Sequence, residues 1–101
     1  GDYNKALEYY EKSYNIYKKA YVDDPNHLDI ATTLNNIGSA YRSKADFNKA
    51  LEYYVKSYEM YKIIYDNNLN HPNIAGVLNN IGLVYDNMCN FDKALEYYEK
   101  S

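Results

Sequence analysis

The chain repeats itself. Residues 2–45 and 46–89 agree at 24 of 44 positions without a gap. DYNKALEYYEKSY from Asp2 returns as DFNKALEYYVKSY from Asp46, and NHLDIATTLNNIGSAY from Asn26 returns as NHPNIAGVLNNIGLVY from Asn70. NFDKALEYYEKS from Asn90 opens the phrase a third time. A period of about 20 to 50 residues belongs to stacked units, each burying its apolar face against the next because none can do so alone. The expected organisation is one array over residues 1–101, in phases 2–45, 46–89 and a partial 90–101, read as a slice of a longer array.

Each period holds two helical patterns. Ile30, Leu34, Ile37 and Tyr41 fall at spacings of one helical turn, and Ile74, Leu78, Ile81 and Tyr85 repeat them. A second stripe runs Ala6, Tyr10, Tyr14, Tyr17, Tyr21 and again Ala50, Tyr54, Tyr58, Tyr61, Tyr65. Asp2, Asp46 and Asn90 stand where an N-cap oxygen receives free backbone N–H groups, and Pro72 suits a first turn, where its missing N–H costs nothing. Asp23–Asn26 and Asp66–Asn70 read as turns between units. Glu8–Lys12, Glu52–Lys56 and Glu96–Lys100 are i,i+4 pairs that mark the solvent side of the second helix. The pattern predicts helices over 3–22, 27–43, 47–66, 71–87 and 91–101, with no strand: an all-α fold of antiparallel helix hairpins.

Charge and composition exclude several functions. Lys and Arg total 11 against 14 Asp and Glu, for a net charge of −3, and Arg42 is the only arginine. Without a basic stripe to release counterions, nucleic acid is not an expected partner. No stretch approaches the roughly 20 apolar residues of a membrane span, and GDYNKALEYY has neither the basic start nor the apolar run of a secretory leader, so a cytoplasmic setting without membrane partners is expected. The 15 tyrosines interleave with lysines and so imitate a base-stacking surface, yet their helical spacing assigns them to the packing face.

No metal, cofactor or enzymatic chemistry is expected. His27 and His71 each stand alone at a turn, without a second ligand at metal-binding spacing, and read as capping or loop-packing residues. Cys89 falls where Gly1 and Ala45 stand in the other units, so a small residue at a tight turn accounts for it, and no base is placed to activate its thiol. Neither a Ser–His–Asp arrangement, a glycine-rich phosphate loop nor a paired-carboxylate motif is present.

Leu34, Ile37-Gly38, Tyr41, Ala50 and Tyr54, followed by Leu78, Ile81-Gly82, Tyr85, Ala94 and Tyr98, resemble the signature of the tetratricopeptide repeat family. The LNNIG phrase is similar to the longer repeats of kinesin light chains. This resemblance implies a right-handed α-solenoid in which Gly38 and Gly82 admit close helix approach and Ala50 and Ala94 sit at the crossing. The unit exceeds the usual length of about 34 residues, which implies a longer second helix and following loop.

The same resemblance implies a protein-interaction scaffold. Its concave groove would be lined by Thr32, Asn35, Asn36, Ser39, Arg42 and Ser43, then Gly76, Asn79, Asn80, Leu83, Asp86 and Asn87. The groove would hold an extended peptide or a partner helix through donor–acceptor amides. Asn36 and Asn80 match the position at which relatives hold a ligand, or else tie adjacent helices together. Asn35, Ser39, Asn79 and Leu83 occupy places where carboxylate-clamping relatives carry Lys or Arg, so such a clamp is not expected. Arg42 reads as the one fixed cation of the groove, or as a surface charge paired with Asp86. The alternative is a structural module whose copies stack head-to-tail as a homo-oligomer, extending the superhelix.

Overall fold

The computed structural model describes residues 2–101. Gly1, one of the residues compared with Cys89 above, lies outside them. The described chain is five helices: α1 (Asp2–Ala20), α2 (Leu28–Ser43), α3 (Phe47–Ile64), α4 (Pro72–Asn87) and α5 (Phe91–Lys100). Among the described residues there is no strand, and the helices pack in sequence, α1 on α2, α2 on α3, α3 on α4 and α4 on α5.

The helix boundaries move by one or two residues from those predicted, and the reasons are local. His27 and His71 lie outside α2 and α4 because their Nδ1 atoms accept the backbone N–H groups of Asp29 and Asn73, at 3.0 and 3.1 Å. They are N-caps, which answers the puzzle of two histidines 44 residues apart. Asp46 and Asn90 cap α3 and α5 by accepting from the N–H groups of Lys49 and Lys93, as their place in the phrase requires. Asp2, expected as a cap, is instead inside the first turn of α1. α3 ends at Ile64 rather than 66 because Asp66 and Asn67 turn left-handed, with φ of 50° and 60°.

Tight turns join the two helices of each unit, and both have one geometry. Ala45 N–H donates to the Arg42 carbonyl and Asp46 N–H to that of Tyr41; Cys89 and Asn90 repeat this with Asp86 and Tyr85. Those paired bonds close a helix on a residue in the left-handed region, and Ala45 and Cys89 hold φ of 62° and 61°. Backbone hand, rather than small size alone, is what this position asks of its residue. Glycine would meet it without the cost of a Cβ.

The core is built from the repeated stripes. Ile30, Leu34, Ile37, Ile74, Leu78 and Ile81 are buried, as are Ala50 and Ala94. A Cβ added at Gly38 would stand 2.7 Å from the ring of Tyr54, and one at Gly82 would stand 2.7 Å from that of Tyr98. The glycines therefore admit tyrosine rings from the following helix, which is the close approach expected of them. Tyr54 and Tyr61 are the buried aromatic residues among those described.

Cα atoms of α2 and α4 approach within 8 Å, whereas no such approach links α1, α3 or α5 to one another. The first helices of the units are thus closer together than the second helices. The stack bends toward α2 and α4, which form its inner face.

Candidate partner-binding groove

On the inner face the predicted residues separate into those engaged by the fold and those left open. Asn80 donates through its side-chain amide to the Asn35 carbonyl oxygen at 3.1 Å, joining α4 to α2 across the unit boundary. Ser39 Oγ and the Tyr54 hydroxyl lie 2.7 Å apart, and Thr32 Oγ1 and the Tyr61 hydroxyl 3.0 Å apart. These contacts satisfy two buried phenols, which otherwise would lose their water at a cost of about 1–3 kcal/mol each. Four of the expected groove residues, Thr32, Asn35, Ser39 and Asn80, accordingly hold the hairpins together.

Asn36 and Asn79 take no part in this bonding. Asn36 is half-buried and lines an open depression of about 270 Å³ with Tyr9, Ser13, Tyr17 and Thr32, while Asn79 is exposed. Leu83, half-buried, stands where the first unit has Ser39, and Gly76 leaves open space where it has Thr32. Ser43, Asp86 and Asn87 are exposed.

Arg42 makes no ion pair with Asp86 or any other acid among the described residues. Its Nε is buried and has no hydrogen-bond partner. The inner helices are otherwise almost free of charge. α2 carries Asp29 and Arg42, and α4 carries only Asp86, whereas α1, α3 and α5 hold seven, five and five charged side chains.

The joints between units were not visible as built sites in the sequence. His27 stacks on Tyr21 with ring centroids 3.6 Å apart, and His71 on Tyr65 at the same distance. Tyr21 donates its hydroxyl to Asp29 at 2.8 Å. At the second joint Asn73 donates to the Tyr65 hydroxyl at 2.8 Å, so the direction of the bond reverses. Tyr21 and His27, six residues apart and repeated as Tyr65 and His71, were the available signal. The Tyr21 phenol is held above its ordinary ionisation range, first by its hydrogen bond to Asp29 and then by desolvation.

The opposite side of the stack has an apolar furrow between α1 and α3. Tyr14 and Met60 line both of its depressions, with Ile30 and Leu34 at the floor and Val55 and Ile63 on one wall. Among the described residues there is no cluster of three or more His, Cys, Asp or Glu side chains placed to hold a metal ion, and no helix is long and apolar enough to cross a membrane.

Hairpins, tyrosine-filled glycines and an inner layer of first helices form one constellation, and tetratricopeptide repeat models match residues 1–63 and 75–101. The chain belongs to the tetratricopeptide repeat family. Comparison with curated proteins returned no match. Tetratricopeptide repeats generally mediate protein–protein interactions and are typically non-enzymatic scaffolds. α3 is the longer helix of its hairpin, with 18 residues against 16 for α2.

Proposed function

We propose that the chain holds an extended peptide segment of a partner protein along the inner face made by α2 and α4. One observation carries this reading. The inner face of α2 and α4 presents side-chain amides beside few charges: Asn35 and Asn80 are bonded to each other, Asn79 is exposed, and only Arg42 and Asp86 stand near its end. An amide offers both a donor and an acceptor, which matches the alternating groups of an extended backbone. Arg42 and the exposed Asn87 extend the same polar strip toward the turns. Binding of a retained peptide should fall about tenfold or more in Asn36→Ala/Asn79→Ala, since each substitution removes a paired amide at an unchanged helix surface. Unchanged affinity in that variant, with helicity intact by circular dichroism, contradicts the proposal.

A second reading, copies stacked head-to-tail, is favoured by the outer part of α1. Tyr10 and Tyr17 are only half-buried, while their counterparts Tyr54 and Tyr61 in α3 are buried. A preceding unit, supplied by a second copy, would cover them as α2 covers α3. Light scattering over about a hundredfold range of concentration tests it. A mass rising steadily above 11.9 kDa supports stacking, and Tyr10→Glu should abolish the rise. A constant mass removes the reading.

A further inference from the structure

We infer that the peptide recognised by this groove carries an acidic and a basic side chain about three residues apart; the inference rests on the inner-face reading above and specifies its partner. The inner helices hold only three charges. Asp29 is engaged by the Tyr21 hydroxyl, which leaves Arg42 and Asp86 as the free pair. They occupy the same place in successive units, one at the end of α2 and one at the end of α4. No acid lies within 4.0 Å of Arg42, and no base within 4.0 Å of Asp86, among the described residues.

Arg42 also has an unmet demand. Its buried Nε lacks a partner, and a buried donor left unpaired is unfavourable. A carboxylate arriving along the groove would meet the terminal nitrogens of the guanidinium, since the buried Nε presents no surface to a ligand. Asp86, exposed at the equivalent position of the next unit, offers the opposite charge to a lysine or arginine.

Spacing follows from helix packing. Cα atoms of α2 and α4 approach within 8 Å, so equivalent positions on them are taken as one helix spacing apart, roughly 8–10 Å. An extended chain advances about 3.3 Å per residue, which puts matching side chains roughly three residues apart. The charges select a direction as well as a composition, because reversing the peptide sets acid against Asp86 and base against Arg42.

The test is a library of random ten-residue peptides displayed on phage and panned against the purified chain. Wild type should enrich an Asp or Glu separated by about three positions from a Lys or Arg, in one fixed order. Arg42→Asp/Asp86→Arg should enrich the reverse order, and Arg42→Gln should weaken the best wild-type peptide about tenfold while leaving helicity unchanged. Asp86→Asn should relax only the basic position. Enriched peptides without this pattern, or a pattern indifferent to the exchange, overturn the inference and leave the groove standing. A library that yields no binder removes the groove reading together with the inference.

Discussion

The two units are written in nearly the same phrase, yet they satisfy it differently. In the first unit, Tyr54 is fully buried over Gly38 and its hydroxyl meets Ser39. In the second, Tyr98 covers Gly82 but remains half-buried, and Leu83 offers no hydroxyl. The joints diverge similarly, with Asp29 accepting from Tyr21 in one and Asn73 donating to Tyr65 in the other. Apolar spacing fixes where a repeat packs; α3 is enclosed by both α2 and α4 whereas α5 packs on α4 alone, and that difference in cover sets how deeply each tyrosine is buried. The first unit is therefore the firm half of the array, and the substitutions below measure the difference.

The largest contrast should come from the tyrosines. Tyr54→Ala removes a buried ring and leaves a cavity at the crossing, so it should cost about 3–5 kcal/mol. Tyr98→Ala should cost roughly half that, as read by urea unfolding. Equal losses would erase the distinction between the units. Gly38→Ala comes next. The new methyl meets a ring with nowhere to go, for a cost of about 1–3 kcal/mol, whereas at Gly82 the half-exposed Tyr98 ring can yield and alanine's helix preference of up to about 1 kcal/mol offsets the crowding.

The tight turns should show no contrast at all. Ala45→Gly and Cys89→Gly each relieve a left-handed non-glycine residue, worth about 1–2 kcal/mol, less about 0.4–1 kcal/mol for the freer unfolded chain. Both should raise the thermal midpoint slightly and equally. A gain in only one would show that the shared hydrogen-bond pattern conceals different strain.

The smallest effects are alkaline. Burial holds the phenols of Tyr41, Tyr53 and Tyr61 above the ordinary tyrosine range. Each therefore contributes stability that is complete below about pH 10, the unfolded value, and is lost as pH rises through the higher folded value. Unfolding midpoints should fall on that side and stay flat for these groups below it. Tyr21 is raised chiefly by Asp29, so Asp29→Asn, which imports the second joint's amide, should move its ring-proton titration down toward the ordinary range. A titration that does not move would deny Asp29 its role.

Much of the fold could be read from the letters because stacking requires strict periodicity. The stripes through Ile30 and Ile74, the glycines and the buried alanines all lie where the spacing placed them. Less legible was how the groove's polar residues divide between the fold and a ligand. Ser39 and Thr32 are seven residues apart, as are Tyr54 and Tyr61, and the antiparallel hairpin pairs them. That matched spacing was available in the sequence, but reading it needed the register between helices. The Asn35–Asn80 bond depends on the offset between units, which helical periodicity alone does not provide. The left-handed turns at Ala45 and Cys89 hid because neither residue is the glycine that usually announces them.

Backbone amide NMR of the chain titrated with a library-selected peptide tests the central claim most directly. The largest shift changes are expected on α2 and α4, at Asn36, Arg42, Asn79 and Asp86, with the outer helices little affected. Changes concentrated instead around Tyr14, Val55, Met60 and Ile63, in the furrow between α1 and α3, would contradict it and move the binding surface to the other side of the stack.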